Sequence, residues 1–181
     1  MPTPTDLPPP ALYPGVTPAS ACQGWYEAHG RAVYGYLRFH LSSADEAEDL
    51  TADVFLRAVR AEGRFDPTRA SARTWLLRIA RNALLDHVRR ERRRQQVPLG
   101  TMRDLRSEAP SPEERVLWEE EVGRLLSAVA GLGARDREII GLRYGSGFDT
   151  REVAEILGVA EAAARTRLWR ALARLREVLG S

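Results

Sequence analysis

The segment Phe148-Asp149-Thr150-Arg151-Glu152-Val153-Ala154-Glu155-Ile156-Leu157-Gly158-Val159 reads as a short helix closed by a tight turn. Asp149 is placed to accept from the amide of Glu152, whose side chain reaches back, an acidic capping box that pins the helix start. Val153, Ala154 and Leu157 are expected to face inward. Gly158 tolerates the left-handed backbone that a helix end requires, and Val159 fills the corner before the next helix. This is the signature of a helix-turn-helix. The helix after the turn, Glu161 to Leu179, is expected to bury Ala164, Leu168, Leu172 and Leu175 and to present Arg165, Thr166, Arg167, Trp169 and Arg170 near its first turns. In such a motif the N-terminal part of the second helix enters the major groove, where arginine makes a bidentate contact to guanine and its neighbours hold phosphates. These five are the candidate readers of a duplex. Trp169 suits a place in the core as well, and a helical hairpin with merely solvated arginines would share the pattern.

Working outward, residues 135 to 145 supply another helix, preceded by one that begins after Pro112, carries Val116, Leu117, Val122, Leu125, Leu126 and Val129, and ends at Gly131 and Gly133. Residues 95 to 112 hold Pro98, Gly100, Pro110 and Pro112 without an apolar stripe and read as a flexible linker. Before it, Trp75, Leu76, Ile79, Ala83 and Val88 form a helical stripe running to Arg94. Gly63 to Ser71 is a break, and two amphipathic helices precede it, with stripes Val33, Leu37, Leu41 and Ala47, Leu50, Val54, Ala58. Residues 1 to 18 contain seven prolines, which remove backbone donors and fix extended geometry, so they read as a disordered tail. No strand of any length is expected. The class is all-α: two small helical domains, 19–94 and 113–181, joined by the linker 95–112.

Charge is strongly segregated along this plan. All 27 basic residues are arginine, and with 25 acids the net charge is only +2. From Ser42 to Asp66, however, seven acids meet three arginines, net −4, and from Arg69 to Arg94 nine arginines meet two acids, net +7. From Ser107 to Glu121 six acids meet one arginine, net −5, whereas Arg165 to Arg176 carries five arginines and no acid, net +5. Two cationic helices, each beside an acidic one, are a footprint for two separate anion contacts. No apolar run approaches the roughly 18 residues of a membrane span, and the N-terminus lacks a basic start followed by an apolar stretch, so a cytoplasmic protein is expected. A single cysteine, Cys22, and three scattered histidines offer neither an internal disulfide nor metal-ligand spacing, so no metal or other cofactor is expected.

Three phrases in the N-terminal half carry a resemblance: Asp45-Glu46-Ala47-Glu48-Asp49-Leu50-Thr51-Ala52-Asp53-Val54-Phe55-Leu56-Arg57-Ala58, then Gly63-Arg64-Phe65-Asp66-Pro67, then Thr74-Trp75-Leu76-Leu77-Arg78-Ile79-Ala80-Arg81-Asn82-Ala83-Leu84-Leu85-Asp86-His87-Val88-Arg89-Arg90. In this order, with the helix-turn-helix behind them, they closely resemble the bacterial extracytoplasmic-function sigma factors over about residues 25–94 and 113–179. The resemblance implies a factor that binds core RNA polymerase and directs promoter recognition, DNA melting and initiation. Asp49, Asp53 and Arg57 would meet the coiled coil of the polymerase β′ subunit, an acidic surface against a basic one. At Ala52 the family usually has glutamine. The loop Phe65 to Ser71 would wall a pocket for a base extruded from the minus-ten element, and Asn82 would read that base. Asp86, Arg89 and Arg90 would lie near bases or backbone, and Arg73, Arg78 and Arg81 would hold phosphates. Capturing an unstacked base requires no ATP, because flipping costs only a few kcal/mol. At Ala72 the family usually has phenylalanine. The helix carrying Arg165 to Arg170 would read the minus-thirty-five element. The 18-residue linker, reaching at most ~60 Å, allows two modules to read sites more than one ~34 Å DNA turn apart. The β flap and an anti-sigma factor are the further partners implied.

A regulator that binds an operator through residues 135–179 explains the C-terminal half equally well, but not the acidic helix, Gly-Pro loop and arginine-rich helix that precede the linker in that order. A nuclease requires clustered carboxylates with a metal or a positioned histidine base. The acids here form charged helix faces and the histidines are isolated, so no enzyme is expected.

Overall fold

The computed structural model of the protein describes residues 20–95 and 113–180. The Pro-rich residues 1–18 and linker residues 96–112 lie outside them. The described residues form helices and connecting turns, with no strand among them: α1 (Ser20–Arg38), α2 (Ala44–Arg60), α3 (Ala72–Gln95), α4 (Glu113–Ala130), α5 (Ala134–Ile140), α6 (Thr150–Leu157) and α7 (Glu161–Leu179).

Local chemistry sets the helix limits. Ser43 caps α2 by accepting from the Glu46 amide (3.4 Å), with Asp45 and Glu46 in the first turn and Arg57 and Arg60 in the last, each charge complementing the helix dipole. A 3-10 turn, Glu62–Arg64, follows. Ser71 Oγ accepts from the Thr74 amide (3.2 Å) where α3 begins. The Arg137 guanidinium satisfies the last carbonyls of α4, donating to Val129 (3.3 Å) and Ala130, and also to Leu132 in the turn that follows (3.0 Å).

In the N-terminal half α1, α2 and α3 pack against one another around Val33, Leu37, Leu50, Val54, Leu76 and Leu77. The stripe expected on α3 holds at Leu76 and Ala83 but not at its other positions. Leu76, Leu77, Ala80, Ala83 and Leu84 are buried, Trp75 and Ile79 are half-buried, and Val88 is exposed. In the C-terminal half α5 and α6 pack on α7, and Arg174 ties α7 to Asp136 of α5 (2.5 Å).

The expected helix over 135–145 is present but changes character. After Ile140 it opens into a π-helical turn, Gly141–Gly145, in which the Ser146 amide donates five residues back to Gly141 (2.9 Å). This turn lies against α1. A Cβ on Gly145 would fall 2.6 Å from the Gly35 carbonyl oxygen, and one on Gly35 would run into the Gly145 carbonyl, so the two backbones meet at a distance that only glycine permits. The sequence reading expects two separate compact parts. In the structure they share one continuous core, in which Val33 and Leu37 join Ile139, Ile140 and Phe148.

Candidate nucleic-acid interface

The helix-turn-helix follows its sequence signature closely. Asp149 accepts from the Glu152 amide and Glu152 accepts from the Asp149 amide, both at 2.8 Å, closing the capping box. Gly158 is left-handed (φ +66°), and the Val159 amide returns to the Ala154 carbonyl (3.0 Å), completing the helix stop. Val153, Ala154 and Ile156 are the buried residues of α6, with Leu157 half-buried. On α7, Ala164, Ala171 and Leu175 are buried, while Leu168 and Leu172 are half-buried. The opposite face carries Arg165, Thr166, Trp169 and Arg170, all exposed, with Arg167 half-buried. Trp169 is 69% exposed, which places it on the outer face rather than in the core. Arg165 is steadied by Glu161 one turn earlier (2.8 Å). An exposed indole flanked by guanidinium groups at the N-terminal half of a second helix has the chemistry to stack on apolar base edges and to donate to phosphates or guanine.

The second cationic surface belongs to α3. Arg78, Asn82, Arg89 and Arg90 are exposed, whereas Arg73 and Arg81 are half-buried because both reach into the C-terminal half. Arg73 donates to the Ser146 carbonyl and its guanidinium lies 4.1 Å over the buried Phe148 ring. Arg81 pairs with Glu138 of α5 at 2.5 Å. Between the halves lies a cleft of ≈ 430 Å³, with Arg78, Arg81 and Asn82 on one wall and Glu155 to Gly158 on the other. Glu138 and Phe148 are the residues of this surface that sequence reasoning missed. Their partners stand 57 and 75 positions away, beyond any local periodicity.

Phe65 does not stand alone on its loop. It meets Trp25 and Trp75 with ring centroids 5.3 and 5.1 Å away, and the two indoles are 5.3 Å apart. This aromatic cluster backs the loop, whose tip is shaped by Asp66 accepting from the Thr68 amide (2.9 Å) and hydroxyl (2.7 Å). Those two bonds hold the Asp66 carboxyl below its ordinary range.

On α2, Asp49 is exposed and Asp53 half-buried, next to Arg57. Arg57 donates to Asp53 and to Asp86 of α3, each at 2.9 Å, and Asp86 also faces Arg89 at 3.8 Å. The bond from Arg57 is the main reason the Asp86 carboxyl titrates below the usual carboxylate range. The structure therefore brings the expected polymerase-facing and base-facing residues into one ion-pair chain, a link that sequence spacing does not reveal. Among the described residues there is no cluster of metal ligands and no helix long and apolar enough to cross a membrane.

Against this geometry, residues 25–94 match the family model for sigma-70 region 2, and residues 123–175 that for sigma-70 region 4. BldN of Streptomyces coelicolor, an ECF RNA polymerase sigma factor, is 35% identical over 85% of this chain and 58% of its own. SigX of Bacillus subtilis is 29% identical over 84% of this chain and 80% of its own. SigL of Mycobacterium tuberculosis is 31% identical over 89% of this chain and 90% of its own. Among solved structures, the chain resembles RpoE of Bartonella quintana, crystallised with the anti-sigma factor NepR (TM-score 0.66, 24% identity, 90% of this chain and 98% of that one). It also resembles CnrH in complex with the cytosolic domain of CnrY (TM-score 0.65, 27% identity, 88% of each chain).

Proposed function

Because the chain belongs to the extracytoplasmic-function branch of the sigma-70 family, we propose that it binds core RNA polymerase and directs promoter recognition, DNA opening and initiation at a specific set of bacterial promoters, as a non-enzymatic factor. One observation carries the reading: region 2 and region 4 follow each other on one chain, each built around an arginine-bearing helix, as a bipartite promoter requires.

Within it, Asp49, Asp53 and Arg57 contact the polymerase. The Phe65 loop walls a base pocket, Asn82 takes a minus-ten base, and Arg73, Arg78, Arg81, Arg89 and Arg90 hold the backbone around it. Arg165, Thr166, Arg167, Trp169 and Arg170 read the minus-thirty-five element. Residues 19–94 and 113–181 act as the two modules, on polymerase in the cytoplasm. An anti-sigma factor is a further partner, a view supported by the capture of RpoE and CnrH with NepR and CnrY.

Run-off transcription with purified core polymerase on a genomic promoter library tests the proposal. RNA starting at a defined promoter class only when the protein is added is the expected result. Core polymerase that starts no differently with and without the protein would overturn it.

A further inference from the structure

The loop Phe65 to Ser71 is shaped by local bonds. The Phe65 amide donates to the Glu62 carbonyl (2.9 Å), the Arg69 amide to the Asp66 carbonyl (3.1 Å), and Asp66 holds Thr68. Such bonds fix the form of a loop but not its place against the rest of the molecule. Residues 66–69 are exposed, and the half-buried Phe65 ring links the loop to the interior by resting on the indoles of Trp25 and Trp75, which themselves pack on the buried core. Trp75 belongs to α3, whereas Trp25 comes from the second turn of α1. It meets both rings edge-on, at interplanar angles of 81° to Phe65 and 61° to Trp75, an attractive geometry for aromatic pairs. That end of α1 is held in turn, because the adjacent Tyr26 meets the buried Phe55 ring of α2 at 4.9 Å. Ala72 brings only a methyl to the start of α3, so the apolar bulk beneath the loop comes from these rings. Along α3, Trp75 and Asn82 stand two turns apart on one face, about 10 Å along the helix axis. Any shift of the loop over that face changes the room for a base beside Asn82.

We infer that Trp25 is a positioning residue for base capture: packed edge-on against Phe65 and Trp75, it sets the height of the loop over α3, and so the gap in which Asn82 meets an extruded minus-ten base. The inference rests on the promoter-recognition reading and adds to it a residue of α1, outside the two DNA-facing helices. Trp25 touches no DNA in this role and acts through Phe65. A pocket whose supporting residues are loosened keeps its chemical groups but loses their alignment, so the effect falls on base recognition.

The test uses holoenzyme assembled from core polymerase and the full chain, on a promoter obtained from the run-off screen. Abasic substitutions along the minus-ten element identify the captured base as the position whose loss most slows opening, followed by permanganate reactivity of unpaired thymines. In the parent that penalty is expected to be about tenfold, and in Trp25→Ala about twofold, because the variant opens the intact promoter more slowly and the abasic one no differently. Asn82→Ala is expected to shrink the penalty alike, and the double variant to be no slower than the slower single one, since both act on one contact. Trp25→Phe, which keeps a ring, should retain most of the penalty, and co-elution of the Trp25 variants with core polymerase should match the parent. If Trp25→Ala is unfolded by circular dichroism, Trp25→Leu, which keeps apolar bulk without a ring, decides by the same ratio. An undiminished penalty in the folded variant, additive slowing in the double variant, or a Trp25→Phe as defective as Trp25→Ala would overturn the inference and leave the promoter reading standing, because the parent still opens the promoter. Parent holoenzyme that starts no specific RNA would instead sink the promoter reading and the inference with it.

Discussion

Helices α3 and α7 are both arginine-rich, and the fold uses them in opposite ways. On α7, Arg165 and Arg170 are exposed on the outer face, and the nearest partner of Arg165 is one turn away on the same helix. On α3 two arginines cross to the other half, to Ser146, Phe148 and Glu138, and tie the two halves together. A run of arginine in a sequence thus reports a cationic helix but not whether its charge is available. Availability is decided by carboxylates and carbonyls far away in the chain.

The difference can be broken most forcefully at Phe148, which is fully buried beneath Arg73. Phe148→Ala should cost about 3–5 kcal/mol of stability in denaturant unfolding, the usual range for emptying a core of an aromatic ring. The outward Trp169→Ala should cost far less, and equal losses would contradict the contrast. Next in size, Arg165→Ala and Arg170→Ala should each remove about 1–3 kcal/mol of affinity for upstream-element duplex while sparing association with core polymerase, as measured by anisotropy and co-elution. Loss of core association instead would move the docking surface to α7.

A smaller effect is expected from acid. His40 sits at the crossing, its Nδ1–H donating to the Tyr36 carbonyl (2.8 Å) and its ring against Gly141. Burial lowers its pKa, with Arg137 of α5 adding to the effect and Glu138 partly opposing it. The folded state therefore binds fewer protons at this site than the unfolded one. Stability should be full above the ordinary histidine range of about 6.5 and decline as pH falls below it toward the folded-state value. His40→Gln should flatten that part of the stability profile. The smallest effect is on Asp86, whose carboxyl should titrate by NMR below the ordinary value of about 3.9 and move upward in Arg57→Ala, because the pair that holds the proton off is then gone.

These contrasts also mark what the sequence could convey. The helices, their breaks and the whole capping box of α6 were legible because each rests on neighbours within about four residues. Trp169 stayed ambiguous because it adjoins the half-buried Leu168, at the border of the apolar stripe, where one position of rotation separates core from solvent. The contact between the halves was not legible at all. Gly35 and Gly145, Arg73 and Ser146, and Arg81 and Glu138 meet only through folding, and a glycine within a helical pattern carries no sign of what it will touch.

The ion-pair chain from Asp53 through Arg57 to Asp86 has a mechanical consequence. It ties α2 to α3 through side chains 31–48% exposed to water, a modest link because solvent screens each pair, so that on the proposed function a partner seated on the first helix would be felt at the second through one guanidinium.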